Sequence, residues 1–241
     1  MNAKQNKLPF SACYDSAWTA FRKWWIPLCL ISGLLFVFQL IPRTVVRAEG
    51  SELSEAFSTI VTAAQANDVD AMLSAEEQIQ ELAWKYARKM GKFTAAVFPL
   101  VAVVTVLLLI YANAAVNDYR KKQTAGRILY ISAVHVLLAV IKATAMVLVF
   151  PLGIYLYIKW LFVSFVLLEE EASIGEAVRR SSALTKGNFF PLLGLVVLNG
   201  VIQLISLPTI IGIIPATGFV NTVRAAAYVS LRDGFRQVPD S

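Results

Sequence analysis

Histidine, cysteine and charge are what this chain has least of. His135 is the single histidine, and Cys13 and Cys29 are the only cysteines in 241 residues. A histidine-centred triad needs a nucleophile and an orienting acid beside the imidazole, and zinc sites take several Cys or His ligands. Neither assembles around one histidine in an apolar run, so His135 reads as a buried polar residue hydrogen-bonded between helices. Two cysteines without a CxxC pair exclude a disulfide framework. Charged residues make up 16% and apolar residues 57% of the chain, against about 25% and 45–50% in a soluble domain. That balance excludes an ordinary water-soluble enzyme. The net charge of +6, which elsewhere would point to nucleic acid, here reads as a topology signal, and no nucleic-acid partner is expected.

What the chain has in quantity is long uncharged stretches. Trp24 to Pro42, Phe93 to Val116 and Ile128 to Leu168 are each long enough to cross a hydrocarbon core of about 30 Å. The last of these would make a single helix of about 60 Å, so it must fold back, with Pro151 and Gly153 marking the turn. The expected fold is all-α, a polytopic integral membrane six-helix bundle in one membrane domain, 1–241. Its spans are expected at about 24–42, 93–116, 128–149, 151–168, 190–207 and 209–231, with Pro215 kinking the last. The first 23 residues combine Lys4, Lys7, Arg22 and Lys23 with aromatics at helical spacing, which predicts a helix lying in the headgroup zone. The alternative, a secretory signal cleaved near Val46 and Ala48, conflicts with a hydrophobic segment longer than the usual 7–15 residues.

Residues 43–92 are polar and helical in pattern. Leu53, Phe57, Ile60, Val61 and Ala64 mark one amphipathic face, and Ile79, Leu82, Ala83, Tyr86 and Met90 another. The spacing predicts an extracytoplasmic helical hairpin broken around Asn67 to Asp70, with Ser74 and Glu77 as a capping box. Its second helix is expected to run on into the next span. A second capping box, Ser173 with Glu176, opens a segment 169–188 that ends at Gly187 and reads as a cytoplasmic amphipathic helix. With both termini cytoplasmic, thirteen basic residues fall inside and six outside, the asymmetry the positive-inside rule requires. The expected location is the plasma or bacterial inner membrane.

The run Ile158 to Gly194, IKWLFVSFVLLEEEASIGEAVRRSSALTKGNFFPLLG, resembles the membrane domain of glycerophosphoryl diester phosphodiesterases and its stand-alone relatives. The resemblance rests on Lys159 and Trp160 in a span, on Glu169, on Glu176 and Ser181 within EAVRRS, and on Gly187. Tyr228 and Arg232 in AAYVSLRDGF match the closing positions. The catalytic barrel of those enzymes is not in this chain, so the resemblance implies a membrane module and not a phosphodiesterase.

Three cations fall inside expected spans: Lys142, Lys159 and Arg224. A charge at the bilayer centre costs at least about 2.5–3.5 kcal/mol unless paired or hydrated, and such residues default to a functional reading. No Asp or Glu lies within the expected spans, so Lys159 must find a carbonyl, water, a ligand or a polar side chain such as Asn199, Gln203 or Asn221. Together with Arg179 and Arg180 on the amphipathic segment, these cations are the candidate contacts for anionic lipid or another anion. The competing reading is structural: snorkelling for Lys142 and Arg224, a hydrogen-bond centre for Lys159, and positive-inside anchoring for Arg179 and Arg180. No nucleophile, base and orienter occur at convincing spacing, and no cofactor is called for.

The expected function is therefore a non-catalytic scaffold, assembly factor or partner-binding module, its partners the bilayer and a protein or second copy. The alternative is a permease or lipid-handling protein with a cationic intramembrane cavity. The geometry that separates them is whether Lys159 and Arg224 meet in one cavity.

Overall fold

The computed structural model describes residues 8–66, 68–117 and 123–236. The basic residues Lys4, Lys7, Arg120, Lys121 and Lys122 lie outside them, as does Asn67 of the expected hairpin turn. The elements are α1 (Phe10–Ala66), α2 (Val69–Asn117), α3 (Ala125–Leu148), α4 (Phe150–Lys159), α5 (Val163–Glu169), α6 (Ile174–Leu184), α7 (Phe189–Ser206) and α8 (Ile213–Arg236), with a 3-10 turn at Ile210–Gly212. No strand occurs among the described residues.

Five stretches are long and apolar enough to cross a membrane: Phe10–Phe38, Ala95–Asn117, Ala125–Leu148, Phe150–Glu169 and Phe189–Ser206. The chain is a helical membrane protein. It divides into two compact units, Met1–Leu35 with Ala102–Ser241, and Phe36–Val101.

In the first unit, the N-terminal part of α1 packs one face on the protein while Phe10, Trp18 and Trp25 stay exposed. Cys13, Ala17, Ala20 and Leu28 form one buried face of α1, where the small side chains of Cys13, Ala17 and Ala20 admit a neighbouring helix that the flanking aromatics would exclude. Trp24 departs from helical geometry (φ −115°, ψ 20°). The cause is Pro27, which lacks an N–H and whose ring collides with the carbonyl one turn before it. α1 then runs on past Pro42 to Ala66, so the first span and the first polar helix are one element.

α8 touches α1, α4, α5, α6 and α7. Val220 to Val223 and Ala225 to Tyr228 are all buried. A methyl at Gly218 would meet Phe21, Leu28 and Ser32 of α1 at 3.2–3.4 Å, and Phe219 packs on Trp18 and Phe21. Tyr228 stacks on Phe165 of α5. Shielding by protein removes the need for lipid-compatible side chains, which explains why α8 is too polar to count among the five. Pro215 does not kink it. It sits in the first turn of α8, where the missing N–H has no intrahelical partner to lose.

α3 and α4 form a tight hairpin turning at Val149. Pro151 occupies the first turn of α4, and a methyl at Gly153 would fall on the Met146 backbone, so only glycine permits this approach. The fourth span, Phe150–Glu169, is interrupted as a helix between α4 and α5. α6 follows with the predicted capping box in place, and Gly187 has φ 81°. It is not simply a surface helix, however, because Ala177, Ser181 and Thr185 are buried.

In the second unit α2 starts earlier than expected. Asp68, not Ser74, caps it, accepting from the Ala71 N–H at 3.0 Å. Ser74 lies inside the helix and donates to the Ala71 carbonyl at 3.0 Å. An aspartate just before the helix satisfies the free N–H groups first, leaving the Ser74 pair nothing to cap. Ala63 and Ala75 are buried, while Phe57, Val61, Val69, Leu73 and Trp84 are exposed.

Candidate functional site

The polar residues of the first unit gather into three centres. The first joins α2, α5 and α8. Glu169, closing α5, accepts from Arg232 Nη1 at 2.6 Å on both carboxylate oxygens. It also accepts from the Tyr228 hydroxyl at 3.0 Å, Asn113 Nδ2 at 3.2 Å and Asn117 Nδ2 at 3.3 Å. Arg232 further donates to Asn117 Oδ1 at 3.2 Å and Asp233 at 2.8 Å. Three positions of the family-like motif, Glu169, Tyr228 and Arg232, thus meet in space although Glu169 lies 59 and 63 residues from the other two in sequence. Asn113 and Asn117 are an addition. Their signal was available, since residues four apart on a helix share a face.

Around this centre lie the last carbonyls of α5. Arg127 Nη2 donates to Leu167 O at 3.0 Å and Glu170 O at 2.6 Å, and Gln123 Nε2 to Leu168 O at 2.8 Å. These groups satisfy a helix C-terminus that has no further turn to bond. Arg180 pairs with Glu170, and Arg179 is exposed. The Glu176 carboxylate accepts from the Ser173 N–H at 3.0 Å and the Ser173 hydroxyl at 3.2 Å. Those bonds, the backbone one foremost and then the hydroxyl, hold its carboxyl below the usual glutamate value.

The second centre is the break between α4 and α5. Ser181, fully buried on α6, donates to Lys159 O at 2.8 Å and accepts from the Phe162 N–H at 3.2 Å. Trp160, at the end of α4, adopts φ −106° and ψ 19°. One hydroxyl therefore supplies both partners that the interrupted helix loses, the condition under which irregular backbone survives at membrane depth. Lys159 Nζ reaches Ser182 O at 3.4 Å and lies over the Tyr155 ring. Of the partners considered for Lys159, the carbonyl is the one it takes. Asn199 accepts from the Tyr14 hydroxyl, and Asn221 donates to Thr217 O.

The third centre lies between α3, α4 and α8. Arg224 Nη2 donates to the Tyr157 hydroxyl at 3.1 Å, and Lys142 Nζ stands 5.3 Å from the centroid of the same ring. His135, two turns before Lys142 on α3, is 3.0 Å from Ser164 Oγ, a polar link between helices of the kind its position predicts. Lys159 is not part of this group. Tyr157 and Lys159 are two apart on α4 and so point to different faces. Lys159 and Arg224 take different partners, and the pair brought together is Lys142 and Arg224.

Comparison of the chain with models of known protein families, with curated proteins and with solved structures finds no match. Among the described residues, no three of His, Cys, Asp and Glu come together as metal ligands. The first two centres join helices to one another through bonds already made. The third leaves a donor unused.

Proposed function

We propose that the chain is a six-span integral membrane protein of the plasma or bacterial inner membrane, both termini cytoplasmic, acting as a non-catalytic scaffold or partner-binding module. α8 supplies the sixth span: its 24 residues make about 36 Å of helix, and its polarity belongs to its protein-covered position. The topology draws support from the polar ends of the helices. Gln123 and Arg127, Glu169 and Glu170, Arg180, and Arg232 are linked into one group, and Leu8 N donates to Asn188 Oδ1 at 2.9 Å. The segments assigned to the cytoplasm by the positive-inside rule thus keep company with one another. The resemblance to the phosphodiesterase membrane domain belongs to the same proposal, and its residues serve helix joining.

The observation that carries the partner-binding reading is the second unit. It folds as a compact piece of its own and shows large apolar side chains outward, Leu73 at 60% and Trp84 at 68% exposed, where an extramembrane segment would ordinarily be polar. The occupant is a protein. A photo-crosslinking residue at Leu73 or Trp84 in intact membranes is expected to give discrete protein adducts, whereas the same residue at Phe190 of α7, exposed on a span, gives lipid adducts. Hairpin positions that capture only water or lipid would overturn the reading.

A further inference from the structure

We propose that the centre formed by Lys142, Tyr157 and Arg224 is a binding site for an anionic oxygen group, a phosphate or carboxylate. Two cations from different helices converge on one phenol. Tyr157 is no acid partner for them: it accepts one hydrogen bond and offers its ring face. α3, α4, α7 and α8 as far as Leu231 contain no Asp or Glu, and Glu169 is engaged by Arg232, Tyr228, Asn113 and Asn117. Arg224 Nε is buried and has no acceptor, which leaves a charge-assisted donor unsatisfied; Trp24 Nε1, Ser32 Oγ and Asn199 Nδ2 are also buried without partners, but none of them carries a charge. An unpaired charge in this setting is costly, and two like charges sharing a low-dielectric site add repulsion.

A single anionic oxygen group resolves all three deficits. It accepts from Arg224 Nε, faces Lys142 Nζ, and reduces the net charge of the site. Guanidinium is matched to the flat or forked oxygens of carboxylate and phosphate. The phosphate could belong to a lipid headgroup or be free, and the same chemistry would recognise either. This site is independent of the partner-binding reading of the second unit, and either can fail without the other.

The test uses the full chain purified in a neutral detergent, with thermal unfolding followed on addition of phosphatidylglycerol, phosphatidylcholine or inorganic phosphate. At a hundredfold excess over the dissociation constant, an anion bound only by the folded state raises the midpoint by roughly 5–10 °C for a chain of this size. The wild type is expected to show that rise, Lys142→Met less than about 2 °C of it, and Lys159→Met all of it. A response to phosphatidylglycerol alone identifies a lipid headgroup, and a response to inorganic phosphate as well identifies the phosphate itself. If Lys142→Met does not accumulate, Arg224→Lys keeps the charge and removes the Nε–H, and should require about tenfold more anion for the same rise. An equal rise in Lys142→Met, an unchanged concentration dependence in Arg224→Lys, or no anion-dependent rise in the wild type overturns the proposal.

Discussion

Replacing Glu169 by Gln and Arg232 by Met, singly and together, measures whether the α2–α5–α8 centre acts as one unit. Both side chains are 16% exposed, so water screens the pair only in part. Removing one partner of a buried ion pair costs about 3–5 kcal/mol. The residual exposure, and the bonds from Tyr228 and the two asparagines that persist when Arg232 is lost, lower the expected cost to about 2–3 kcal/mol for Arg232→Met. Glu169→Gln should cost about 2–4 kcal/mol, since it leaves Arg232 only the half-exposed Asp233 carboxylate and turns an acceptor of several donors into a donor itself. The double variant has no buried stranded charge and should be no worse than the poorer single one, which places the coupling at about 2 kcal/mol or more. Equilibrium unfolding in mixed micelles, read by tryptophan fluorescence, gives the four free energies. The exposed pair Arg180 with Glu170, where Arg180 is 54% exposed, serves as the reference, with about 0–1 kcal/mol expected. If the Glu169 and Arg232 losses add to within about 0.5 kcal/mol, the two do not interact energetically and the centre is no unit.

Ser181→Ala removes both partners at the break between α4 and α5, stranding the Phe162 N–H and the Lys159 carbonyl; a loss of about 2–4 kcal/mol is expected in the same unfolding assay, and a change under 0.5 kcal/mol would mean that the break is satisfied some other way. Gly153→Ala places a methyl on the Met146 backbone, so the α3–α4 hairpin must part; a cost of at least about 2 kcal/mol should appear as lost protease resistance at this turn, and wild-type resistance would contradict the close approach. Because Glu176 is held below its usual value, its contribution to the start of α6 is present above the unfolded glutamate range and is lost as pH falls through its lowered value. Hydrogen exchange at Ala177 and Val178 should therefore accelerate only as pH falls below the ordinary glutamate range, and in Glu176→Gln the acceleration should be absent.

Features set by near neighbours in the chain were legible before the structure. The capping box of Ser173 and Glu176, the left-handed Gly187, the turn near Pro151 and Gly153, and the run of α2 from polar helix into span all depend on residues within a few positions of each other. Where such reasoning failed, a closer or stronger competitor was present. Asp68 displaced Ser74 as the cap, and Pro215 fell inside the first turn, where its defect has no consequence. The small-residue face Cys13, Ala17 and Ala20 is masked in the sequence by the more conspicuous aromatics around it. The break at Trp160–Phe162 was not legible in its own segment, because the hydroxyl that stabilises it lies on α6, about twenty residues on.

The apolar runs by themselves determined that this is a helical membrane protein, since hydropathy and length act locally and need no partner. They also marked Lys142, Lys159 and Arg224 as residues to be explained, because a charge is costly in any apolar span. Tertiary structure alone decided what became of each. Lys159 turned to an α6 carbonyl, whereas Lys142 and Arg224 came together on Tyr157 without an acid between them. Charge is written along the chain, but its neutralisation depends on which helices lie side by side, and packing sets that.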